Sequence, residues 1–63
     1  MYTNLKKEME KRNLTTNKLA KLSNITPQDL YAAFKGNKPM YPSWKKRIAE
    51  ALEMDEKELF EEV

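Results

Sequence analysis

The stretch Ser23-Asn24-Ile25-Thr26-Pro27-Gln28-Asp29-Leu30 decides the fold. Ser23-Asn24 breaks a helical pattern for too few residues to make a loop of any size. Asn is the best non-glycine occupant of the left-handed backbone region, so Asn24 is expected to take that conformation at a tight turn. Thr26 then stands as a helix cap. Pro27 follows at the first helical position, where its missing N–H costs nothing, and Asp29 lies three residues after the cap. The pattern predicts a helix through Leu30, Ala33 and Phe34 to Lys35, with Gly36 as its C-terminal stop.

Outward from this turn, each further interruption has its own breaker or cap. Thr15 is a good N-cap for a short preceding helix that ends near Leu22, with Leu19 and Ala20 on its inner stripe and Leu22 a further candidate. Before it, a first helix is expected from about Asn4 to Arg12 after a Thr3 cap. Leu5 and Met9 lie one turn apart on its buried face, Asn13 ends it in a turn, and Leu14 packs inward. On the C-terminal side, the segment from Asn37 to Pro42 reads as an extended connector, because the residue before each proline is pushed out of helical geometry. Ser43 is the expected cap of a fourth helix, with Trp44, Ile48, Ala51 and Leu52 buried at helical spacing. Asp55 caps a last short helix, Glu58 three residues on suggests a capping box, and Leu59 enters the core, with Phe60 a further candidate.

These elements make one all-α domain of 63 residues, near the lower limit at which a single hydrophobic core holds without staples. There is no Cys and no His, so disulfides and the usual zinc ligands are missing and helix packing must supply the stability. A Cys-free chain without an apolar leader or span fits a soluble cytoplasmic protein. The formal charge of +2 hides a polarity: residues 1–49 carry eleven Lys and Arg against three carboxylates, whereas residues 50–63 set seven carboxylates against Lys57. A polyanion would be attracted by the first part and repelled by the second. Nothing in the sequence offers a catalytic nucleophile with a base or a Gly-rich phosphate cradle, so an enzyme is not expected.

Two helices joined by about a four-residue turn form the helix-turn-helix unit, here about 16–35. The run from Leu14 to Ala20, followed by Ile25-Thr26, Leu30, the segment from Lys35 to Pro39 and that from Arg47 to Leu52, resembles the Cro/cI-type (XRE-like) helix-turn-helix family. The segment from Met54 to Phe60 is similar to that family's fifth helix. The resemblance covers nearly the whole chain and implies a compact five-helix, lambda-repressor-like domain whose third helix enters the major groove of double-stranded DNA. It places Gln28, Tyr31 and Ala32 at base-reading positions, and a Gln amide can pair bidentately with adenine. It places Thr16, Lys18, Lys35, Asn37 and Lys38 against the sugar-phosphate backbone. Two copies on half-sites about one helical turn apart are expected, with no cofactor, metal or small-molecule ligand. The implied activity is that of a sequence-specific transcriptional regulator of Cro-like or repressor type, and the small size fits a phage-like origin.

The sequence also departs from the family pattern. Asn24 stands where Gly is usual, Thr16 where a phosphate-holding Gln is usual, and Pro27 where a polar base reader is frequent. Ser43 replaces a basic residue, and Lys45 and Lys46 occupy a more apolar helix start. Competing structural roles apply at several sites. Gln28 could simply solvate its helix, Tyr31 could cover core contacts or a dimer surface, and Asp29 fits a partner of the Thr26 cap better than a reader of cytosine. Phe34, Tyr41 and Trp44 could form a stacking platform for single strands, but Trp44 leads a buried stripe and is expected in the core. A different class of function is a helix-turn-helix scaffold that binds protein, as an antirepressor or antitoxin-like adaptor would, through Phe34, Tyr41 and the acidic last helix.

Overall fold

The computed structural model describes residues 2–60. Glu61 and Glu62, which belong to the acidic balance of the C-terminal part, lie outside the described residues. Five helices follow in order: α1 Thr3–Lys11, α2 Thr16–Ser23, α3 Pro27–Lys35, α4 Pro42–Leu52 and α5 Glu56–Phe60. The helix α2 packs on both α3 and α4, while α5 packs on α1 and α4. The body measures 23 × 23 × 18 Å. Among the described residues no helix is long and apolar enough to cross a membrane.

One device ends the first four helices. Asn13, Asn24, Gly36 and Glu53 all take positive φ, at 54°, 56°, 85° and 55°. In each case the following N–H reaches back six residues' span into the helix: Leu14 to the Met9 carbonyl at 2.8 Å, Ile25 to Ala20 at 2.9 Å, Asn37 to Ala32 at 2.8 Å and Met54 to Ala49 at 3.0 Å. This is the Schellman closure, which satisfies carbonyls that the helix end leaves unpaired. Three of the residues that follow the left-handed position are apolar. Ile25 is buried, and Leu14 and Met54 pack against the core, so each turn also points the chain inward.

The helix starts are less uniform. Thr15 caps α2 as expected, its hydroxyl accepting from the Lys18 N–H at 3.2 Å. Asp55 caps α5, with Oδ1 accepting from the Lys57 N–H at 3.0 Å. No bond from the Glu58 carboxylate closes a capping box among the described residues; the Glu58 carbonyl instead accepts from Asn4 Nδ2 at 2.8 Å, tying α5 to α1. Thr3 is the first helical residue of α1, not its cap. Tyr2 takes the cap position and sets its ring edge-on to Phe60 at 5.1 Å. The Thr26 hydroxyl makes no cap bond, so α3 begins on Pro27 and backbone geometry alone. The helix α4 starts one residue earlier than Ser43 predicts, because Pro42 fits the first helical position with its fixed φ and needs no donor there.

Six side chains are essentially inaccessible: Leu5, Leu19, Leu30, Ile48, Leu52 and Leu59. Every helix contributes at least one of them. Phe60 and Met40 complete the buried set with Met9, Ala20, Ile25 and Ala49. Three expectations need correction. Leu22 is 59% exposed and Ser23 takes its place inside, because the inner stripe of α2 turns from Leu19 and Ala20 toward Ser23. On α4, Ala49 rather than Ala51 is buried, beside Ile48 and Leu52. Trp44 packs against the core only in part, with Tyr41 edge-on to it at 4.7 Å.

Candidate nucleic-acid interface

The helix-turn-helix spans α2, the turn at Asn24 and α3. Burial of Leu30 on α3 turns the opposite face of that helix outward. Gln28, Tyr31 and Ala32 lie on this outer face one turn apart, and with Lys35 and Asn37 they line one shallow, open concavity. Gln28 is exposed, Tyr31 is 44% exposed and Ala32 is half-buried. Side chains one turn apart share a helix face, so a Gln amide, a phenol and a methyl group are displayed along a single ridge with a lysine at its end. Five of the eight residues singled out from sequence are thus brought together.

The other three are placed differently. Thr16 and Lys18 sit in the first turn of α2 and do not line that concavity. The Lys18 N–H is engaged by the Thr15 hydroxyl. The Thr16 N–H belongs to the first helical turn, where backbone donors have no intrahelical acceptor. Lys38 is exposed, but its Nζ donates to Asp29 Oδ1 at 2.7 Å. That hydrogen bond, and then the charge of Asp29, hold the Lys38 ammonium above its ordinary pKa; Tyr41 adds slightly, against a small opposing effect of burial. Asp29 therefore serves the connector, not the Thr26 cap.

Two features of the site escaped sequence reasoning. One is the Asp29–Lys38 pair, which joins the first turn of α3 to the connector nine residues later. The other is Arg47 on α4, whose Nη1 donates to the Asn24 carbonyl at 3.4 Å. The length of that bond makes it weak, yet it ties the helix-turn-helix turn to the helix behind it. A pairing of residues 23 apart leaves no local signal in a sequence. Phe34, an alternative protein-docking candidate, packs against the core instead of standing free.

A family model for the Cro/C1-type HTH DNA-binding domain matches residues 4–63. No curated protein and no solved structure matches the chain. The match takes in α1 except for Thr3 and the whole of α2 to α5, the α3 face included, and the chain belongs to the Cro/C1-type helix-turn-helix DNA-binding domain family.

Proposed function

We propose that the protein is a sequence-specific regulator of transcription that acts as a repressor by occupying duplex DNA within a promoter. The observation that carries this reading is the grouping of Gln28, Tyr31, Ala32, Lys35 and Asn37 on the outer face of α3, in a chain whose family binds DNA. The major groove admits an α-helix, and its base edges offer Gln28 a bidentate adenine and Ala32 a thymine methyl. Lys35 and Asn37, at the C-terminal end of the same ridge, reach the phosphates, and the first turn of α2 at Thr16 and Lys18 meets the flanking backbone. A single module of this size covers little DNA, so two copies act on half-sites about one helical turn, ~34 Å, apart. The protein works in the cytoplasm, on the bacterial or phage DNA found there.

Selection of bound sequences from a random duplex pool, followed by anisotropy on the winners at two salt concentrations, tests this. A short two-fold-symmetric site with steeply salt-dependent affinity supports it. Absence of any enriched site, with weak binding to all duplexes alike, would move the assignment to a protein-binding scaffold. Gln28→Ala should weaken binding to the selected site by about 1–3 kcal/mol and leave binding to unrelated DNA unchanged. Equal loss on all sequences would remove Gln28 from the reading set.

A further inference from the structure

Asp29 is the only carboxylate among residues 11–49, and it stands at the flank of the α3 reading face, one position after Gln28. An acidic group there repels phosphate unless it is neutralised. Its partner is Lys38, at 2.7 Å, on the connector that leads away from the end of the same helix. Both side chains stay in contact with solvent, at 49% and 34% exposure for Lys38 and Asp29, so the pair lies on the surface beside the reading face. Lys35, the lysine that lines the concavity, carries no such partner among the described residues.

We infer that Asp29 occupies Lys38 as a phosphate would, withholding one cation from the DNA backbone and thereby lowering affinity for all duplexes alike and making it less dependent on salt. Asp29 is then a residue that sets affinity and salt dependence without touching a base. The physical reason lies in how phosphate contacts act. Each one releases condensed counterions and strengthens binding to every sequence alike. A lysine already neutralised by a carboxylate releases none, so both the affinity and its salt dependence fall below what the number of lysines beside α3 would give. Being short and direct, the pair also fixes the connector against the first turn of α3, which keeps the ammonium in place rather than letting it sweep the surface.

This inference rests on the DNA-binding reading, and the experiment separates the two. Binding of the whole protein to an unrelated duplex and to its selected site is measured by anisotropy between 50 and 200 mM salt. The variants are Asp29→Asn, Lys38→Gln and the double variant, with folding checked by circular dichroism. Asp29→Asn should steepen the slope of log K against log salt by about 0.9, so that it loses roughly threefold more affinity over that range than the unsubstituted protein. It should also tighten binding to the unrelated duplex and to the selected site by the same factor. Lys38→Gln should weaken binding to every duplex, because it leaves the Asp29 carboxylate bare, and the double variant should match the slope of the unsubstituted protein, because it has neither a freed cation nor a bare carboxylate. A slope that falls by about 0.9 in the double variant, relative to the unsubstituted protein, would show Lys38 already on phosphate and overturn the inference. So would an Asp29→Asn effect confined to one base pair of the selected site, which would make Asp29 a direct reader. If the unsubstituted protein binds no duplex at any salt, the DNA-binding reading itself fails and the inference falls with it.

Discussion

Glu53 holds a left-handed backbone conformation, at φ 55° and ψ 44°, that the other helix ends give to Asn or Gly. For an L-residue with a Cβ this costs roughly 1–2 kcal/mol, and Asn relieves part of it by local hydrogen bonding while Gly avoids it. Glu53→Gly should therefore raise stability by about 0.5–1 kcal/mol after the entropy of the added glycine is subtracted. The urea midpoint should move up at constant slope; no change would mean that the Glu53 side chain makes an offsetting contact. Ser23 presents the opposite kind of misfit. Its hydroxyl is buried without a hydrogen-bond partner among the described residues, at the end of α2, where the residue is only 2% exposed. Ser23→Ala removes an oxygen that lost its water on folding, and should stabilise by about 1 kcal/mol in the same denaturation experiment. A loss of stability instead would show that the hydroxyl is satisfied in solution.

At the scale of elements, what was legible in the sequence divides along a physical line. Helix ends set by one residue's backbone preference could be read directly: Asn24 and Gly36 lie in the left-handed region as their chemistry predicts, and Thr15 caps as its hydroxyl allows. The Thr15 bond to Lys18 makes a further expectation concrete, since Thr15→Ala should cost about 1 kcal/mol and loosen the first turn of α2, measured by thermal melting and amide exchange at Lys18. An unchanged melt and exchange rate would show that the cap is idle. Features set by competition between neighbours were not legible. Thr26 and Asp29 have the right spacing for mutual capping, but Lys38 takes the carboxylate from nine residues away. Ser43 has a good capping side chain, but Pro42 one position earlier already fits the helix start. Leu22 and Ser23 exchange their expected environments because a short helix of eight residues has few turns to fix which edge of its stripe faces inward. On the candidate interface, the shared face of Gln28, Tyr31 and Ala32 was legible from the family resemblance together with helical spacing, whereas the Arg47 tie to Asn24 needs the fold of α4 behind α2.

For the whole molecule the question is whether α3 can be presented to DNA independently of the rest. The helix α2 leans on α4, α4 on α5 and α5 on α1, and each helix spends at least one fully buried residue in the common core. Total stability for a chain of this length is of order 3–9 kcal/mol. A Leu to Ala change at a fully buried site costs about 2–5 kcal/mol. Leu59 sits in the five-residue helix α5, which is too short to be stable alone and has no place in the α3 face. Leu59→Ala should nevertheless abolish or severely weaken binding to every duplex, together with most of the helical circular dichroism near 37 °C, because removing the support of α1 and α4 takes away the backing of α2 and α3. Leu59→Met, which nearly conserves volume, should cost less than about 1.5 kcal/mol and keep binding. If Leu59→Ala lost only the signal of one short helix and still bound its site with the original salt slope, the helix-turn-helix would be a self-sufficient unit. The outer helices would then be dispensable to it, contrary to the shared core that the packing of all five implies.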